Sequence, residues 1–194
     1  MLSSIHPLGE RARAGQYWVT AVAYVVGSTV GGLSVGALFG VAGGALLPSL
    51  GTTALAWIAV AIGTAGVLVD TGMLPLPSIH RQVNEEWLTT YRGWVYGVGF
   101  GFQLGAGLAT IVTTAATYAI VALAFFSGSA ATGMVIGLTF GFVRSLAIFA
   151  VARVHTLEAL RSLHRSMQRR APLAHRAVIA AQLLILVAGV ATWR

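Results

Sequence analysis

Two ionisable residues lie inside otherwise apolar stretches of this sequence: Asp70, near the end of the run 52–74, and Arg144, inside the run 130–152. A charge at such depth in lipid is costly, so groups of this kind pair, face water or bind an ion. The expectation is that the two pair across a helical bundle, or that Asp70 is a proton or cation site. The plainer alternative has Arg144 snorkelling to the headgroups and Asp70 lying at the interface. A second constellation is uncharged. On a helix, Gln103, Thr110, Thr114 and Thr117 fall on one face, opposite Gly97, Gly101 and Gly105. That face predicts the lining of a solute path or binding cavity. Hydroxyls bonded back to their own helix would make it structural instead.

Catalytic sets are missing from the sequence. Cysteine is absent, which removes disulfides, thiolate metal ligands and thiol nucleophiles together. His155 and His164 project to nearly opposite sides of a helix, and His6, His80 and His175 are far apart in sequence. No pair has helical metal-site spacing, so neither a metal nor another cofactor is expected. With no Ser/His/Asp set, phosphate loop or carboxylate pair in the apolar runs, the chain is not expected to be an enzyme.

The elements that must position these groups follow from composition. Of 194 residues, 57% are apolar and only 9% charged, with 24 glycines. A soluble domain runs near 25% charged and could not cover its surface with so few charges. The sequence therefore predicts an all-α, polytopic transmembrane helical bundle and excludes a soluble enzyme or a nucleic-acid-binding domain, despite a net charge of +7. A span needs about 20 apolar residues. The runs 52–74, 130–152 and 174–193 each fit one crossing. The runs 17–47 and 94–126 are longer, each either one protruding helix or two short ones broken at glycines.

Arginine placement arbitrates, because every cation is arginine and positive loops stay inside. With five crossings and a cytoplasmic N-terminus, the segments holding Arg11 and Arg13, Arg81 and Arg92, and Arg153 to Arg176 all fall on one side. Five spans are expected, with six or seven as alternatives, in a bacterial inner membrane. The divisions are a retained N-terminal segment (1–16), a bundle (17–152) with a polar loop (75–93), a basic connection (153–173) and a last helix (174–194). Shifting 17–74 by 74 residues puts Gly27 on Gly101 and Gly31 on Gly105, which suggests a tandem repeat of the kind found in transporters.

Small residues recur every fourth position in three runs: Gly32, Gly36, Gly40 and Gly44; Gly97, Gly101, Gly105 and Ala109; Gly133, Gly137, Gly141 and Ser145. A four-residue step keeps each set on one helix face, where missing side chains let backbones approach. These are the expected helix-packing seams, within the chain or between copies in a homo-oligomer. On a helical wheel, Arg153 to Arg170 puts Leu157, Leu160, Leu163 and Met167 on one face and Arg161, Arg165 and Arg169 on the other. This pattern suits a helix lying against the anionic headgroups of the bilayer, or docking a partner in a membrane complex.

The segment Arg81-Gln82-Val83-Asn84-Glu85-Glu86-Trp87, then Tyr91-Arg92-Gly93-Trp94-Val95-Tyr96-Gly97, leads into Gly99-Phe100-Gly101-Phe102-Gln103-Leu104-Gly105. Over residues 78–152 it resembles uncharacterised bacterial membrane proteins related to the cytochrome c biogenesis (DsbD-type) transmembrane family. That resemblance implies a compact helical bundle with internal repeats that passes reducing equivalents through paired cysteines. This chain has none, so only the architecture carries over. The leading expectation is a transporter-like bundle that moves a small solute or ion. The alternative is a non-catalytic structural or accessory subunit of a larger membrane complex.

Overall fold

A computed structural model describes residues 5–13, 15–47, 51–75, 90–107 and 114–191. Every regular element among the described residues is helical. In chain order these are α1 (Pro7–Ala12), α2 (Tyr17–Leu46), α3 (Thr52–Asp70), α4 (Gly93–Ala106), α5 (Ala116–Phe126), α6 (Ala130–Ser145) and α7 (Leu157–Ala191). A 3-10 segment (Leu146–Val151) continues α6. Among the described residues, three stretches are long and apolar enough to cross a membrane: Tyr17–Leu46, Thr53–Asp70 and Ala130–Val151.

The central element is α2. Its 30 residues make one unbroken helix of about 45 Å, so the long run 17–47 is a single helix. It carries two glycine faces and one apolar face. Along the first, Gly32, Gly36 and Gly40 meet Gly137, Gly133 and Ser129 of the α6 hairpin, so α6 runs antiparallel to α2. Along the second, Gly27 and Gly31 meet Val98 and Phe102, while Gly97, Gly101 and Gly105 meet Thr20, Tyr24 and Ser28. There α4 runs parallel to α2. A Cβ built at Gly101 or Gly105 would strike the carbonyl oxygen of Tyr24 or Ser28. The glycines aligned by the 74-residue shift thus line the two sides of one interface.

The third face of α2 carries Trp18, Val22, Val26, Val30, Leu38 and Val41, all exposed. An apolar stripe of that length suits hydrocarbon. Hydroxyls on outward faces return to their own helices, Ser34 to the Val30 carbonyl and Thr139 to that of Val135, both at 2.8 Å. Neither donor is then left unpaired in lipid.

The run 94–126 is broken. Gly107 ends α4 with φ +72°, a conformation that side-chain-bearing residues avoid. The next described helix, α5, has Phe125 against Gly43, so it lies along the second half of α2. At one end of α2, Tyr17, Ala21 and Tyr24 pack with Tyr96, Phe100, Ile148 and Val151 in the main apolar cluster. The Tyr17 hydroxyl donates to the Ile148 carbonyl at 2.7 Å, satisfying an acceptor in the 3-10 segment. α3 pairs with α7 and also touches α5.

The basic connection and the last run form one 35-residue helix that passes through Pro172. The division expected at 173/174 is therefore a change of composition within α7. Leu160 and Leu163 pack onto the main cluster, whereas Leu157 and Met167 are exposed. The predicted apolar face is thus shared between the bundle and its surroundings. The polar loop at 75–93 lies mostly outside the described residues.

Candidate functional site

Asp70 and Arg144 form no ion pair. Asp70 ends α3 and is buried; its Oδ1 accepts from the Ala115 backbone N–H at 2.9 Å, and its Oδ2 accepts from Gln182 Nε2 at 2.7 Å. Ala115 is the N-cap residue of α5. A helix start leaves unpaired N–H groups and positive dipole charge, both satisfied by a carboxylate. Asp70 therefore caps the second half of the broken run from a neighbouring helix. The Asp70 carbonyl accepts from His175 Nε2 at 2.8 Å. Gln182 is seated over Gly66, where any side chain would crowd its amide, at 3.0 Å from Cδ. Neither α7 contact is visible in the sequence, in which His175 stands apart from the other histidines.

Arg144 points elsewhere. Its guanidinium carbon lies 5.4 Å from the Phe140 ring centroid. It borders a cleft of about 470 Å³ together with Tyr24, Leu104, Leu163, His164 and Gln168.

Of the predicted polar face, the structure places Gln103 and Thr117 on separate helices. Gln103 is on α4, Thr117 is buried on α5, and the break after Gly107 separates them. Thr114 precedes α5, and Thr110 lies outside the described residues. The shared face requires one continuous helix, and the positive φ at Gly107 removes that condition. Thr117 instead lies beside Gly107, where a Cβ would stand 3.1 Å from its methyl carbon.

A third cluster centres on Glu10, fully buried in the N-terminal segment. Its Oε1 accepts from Arg13 Nη2 at 2.8 Å and from the Tyr96 hydroxyl; its Oε2 accepts from Thr20 Oγ1 at 3.0 Å. The Arg13 guanidinium also stands 5.7 Å from the Tyr96 ring centroid. Burial disfavours the charge on Arg13 and is the largest single influence, but the interactions with Glu10 and Tyr96 together outweigh it and leave the pKa above the ordinary arginine value. The His6 imidazole caps α1 by accepting from the Gly9 N–H at 3.1 Å. Glu10 and Tyr96 are 86 residues apart, so no local spacing announces them. An acid and a base three apart, just before an apolar run, is the available signal.

The glycine seams lie where backbones touch. Gly44 meets Gly128, and Gly141 meets Ser28. Ser28, fully buried, donates through Oγ to the Gly141 carbonyl at 2.7 Å, and its own carbonyl faces Gly105. Among the described residues, no group of three or more His, Cys, Asp or Glu could hold a metal ion.

No family model matches the chain, and no solved structure matches it. Two curated proteins are similar. One is the methylamine utilization protein MauF of Methylobacillus flagellatus, 28% identical over 151 residues, covering 76% of this chain and 53% of the relative. The other is MauF of Methylorubrum extorquens, 27% identical over 152 residues, covering 75% and 52%. The chain spans about half the length of these relatives.

Proposed function

We propose that this chain is a non-catalytic accessory protein of methylamine utilization, built into the bacterial inner membrane. The observation that carries this reading is the similarity to two methylamine utilization proteins over three quarters of the chain. The geometry supports it in two ways. The glycine faces of α2 are closed by backbone contact with α4 and α6. The charges of Asp70 and Glu10 are committed to hydrogen bonds that hold helices together. Five crossings suit the packing: α2, α3, the broken α4–α5 pair, α6 with its 3-10 extension, and the apolar half of α7. The arginine-bearing segments then share the cytoplasmic side with the N-terminus.

Deletion in the native host should abolish growth on methylamine. Proteoliposomes holding the chain alone should not accumulate radiolabelled methylammonium. Normal growth of the deletion strain, or uptake by the chain alone, would overturn the accessory role.

One observation favours the second reading, translocation of a small solute or ion. The run 94–126 is a discontinuous helix beside α2, and discontinuous helices line solute sites in many transporters. Uptake by the chain alone would favour this reading over the accessory role.

A further inference from the structure

Arg144 stands on α6 one residue before its end, inside the apolar stretch 130–151. Among the described residues no carboxylate pairs with it: the Glu10 carboxylate holds Arg13, the Asp70 carboxylate accepts from Ala115 and Gln182, and Glu158 forms no ion pair with it. Its aromatic neighbour, Phe140, stabilises the cation without neutralising it. The cleft of about 470 Å³ at this guanidinium has polar groups on one part, Tyr24, His164 and Gln168, and apolar walls that include Leu104 and Leu163. A shallower depression beside it is lined by Leu160, Arg161, His164 and Arg165, so His164 belongs to both. The Arg144 guanidinium, the His164 imidazole and the guanidiniums of Arg161 and Arg165 thus border two adjoining depressions whose apolar lining includes Leu104, Leu160 and Leu163. Phe142, Val143 and Leu146, neighbours of Arg144 on the same stretch, are exposed and apolar.

We infer that this cleft is a binding site for one acidic phospholipid. Its phosphodiester would pair with Arg144 and His164, and its acyl chain would lie against Leu104 and Leu163. A guanidinium gains most from a phosphate that it can meet with two parallel N–H bonds in a partly dry setting. A soluble anion would satisfy the charge and leave the apolar wall uncovered; a zwitterionic lipid would cover the wall but bring its own cation to the arginines. The inference uses the membrane location of the proposed function and is independent of the accessory role, which growth and uptake test separately.

The test is native mass spectrometry of the full chain in mild detergent, with phosphatidylglycerol, phosphatidylcholine or inorganic phosphate added. One phosphatidylglycerol should be retained in preference to phosphatidylcholine. Arg144→Gln should weaken that retention by about tenfold or more, the scale of one lost charge-assisted bond. Arg153→Gln, an exposed cation not among the cleft residues, should leave it unchanged. Should Arg144→Gln lower the melting temperature without lipid, His164→Ala, exposed and without a carboxylate partner, serves as the second variant and should also weaken retention. Equal retention of the two lipids, or wild-type retention by both variants, would overturn the site. Displacement of the lipid by millimolar inorganic phosphate would overturn the lipid in favour of a soluble anion.

Discussion

Gly36 of α2 and Gly133 of α6 are reciprocal partners: a Cβ built on either one runs into the carbonyl oxygen of the other. The obstacle on each side is backbone inside a helix, which cannot rotate away as a side-chain end can. Gly36→Ala should therefore push α6 off α2 at this point and cost about 1–3 kcal/mol, the usual range for overpacking. Gly51→Ala is the control, because nothing lies within 4 Å of that position and its φ is −66°. Thermal unfolding in mild detergent should show a clear drop for the first variant and a smaller one for the second, whose only cost is the loss of a good N-cap residue at α3. Equal melting temperatures would mean that the α2–α6 seam is looser than its geometry.

Glu10 is held by three donors from three elements: Arg13, Thr20 and Tyr96. Glu10→Gln keeps the shape but leaves Arg13 without its counter-charge and turns one acceptor into a donor facing other donors. Loss of a charged, buried bond costs roughly 1.5–3 kcal/mol. Tyr96→Phe removes one donor and should cost less, about 1 kcal/mol. The local signature should be earlier proteolysis at Arg11 and Arg13, because α1 is fastened to α2 and α4 through this carboxylate. Trypsin digestion at matched global stability reads it.

Asp70 stands out in the sequence as an ion or transport residue, and its contacts describe a cap. A cap needs an acceptor at Ala115 and a polar partner for Gln182, and neither requires charge. Asp70→Asn can keep the acceptor to Ala115 and donate to Gln182 if that amide turns over. It should melt within a few degrees of the wild type, roughly 1 kcal/mol. Asp70→Ala strands both the Ala115 N–H and the Gln182 amide in a buried site and should lose about 2–4 kcal/mol, from two unmade bonds. If Asn is as damaging as Ala, the negative charge itself is required, and the cation-site reading regains its ground.

How much of this is legible in the sequence depends on the range of each signal. Helical class and apolar character are summed over many residues and read directly. The seams at Gly32, Gly36, Gly133 and Gly137 occupy positions that a four-residue step places on one face. What partners them is not readable, because α2 uses two glycine faces and periodicity does not say which neighbour meets which. A run 94–126 broken at a glycine is one of the two readings the sequence offers, but which glycine breaks it is not readable, for a related reason. Among 24 glycines, the one with φ +72° differs from helical ones only by its backbone. The break also puts Gln103 and Thr117 on separate helices. Asp70 with Gln182 and Glu10 with Tyr96 join residues 112 and 86 apart. Such pairs carry no local pattern, so the acid at 70 is matched by sequence reasoning to the most conspicuous base in the apolar runs, Arg144.

The 35 residues of α7 give about 52 Å of helix, more than the roughly 30 Å of a hydrocarbon core. Its first half carries Glu158, Arg161, Arg165, Arg169 and Arg170, and its second half holds Leu183, Leu184, Val187 and Val190 exposed. One helix so divided should leave the membrane a turn past Pro172, near Arg176, with charge in water or among headgroups and leucines in lipid. Because the chain has no cysteine, single replacements can be labelled without background. Arg161→Cys should react with a membrane-impermeant maleimide in inside-out vesicles, and Leu184→Cys should stay protected in either orientation. Gly51→Cys belongs to the other end of α2, past Leu46, and should react only in right-side-out vesicles. Five crossings require that opposition between positions 51 and 161. Labelling of both from the same side would replace the five-crossing arrangement with an even number of crossings between those positions, and ready labelling at 184 would remove α7 from the membrane.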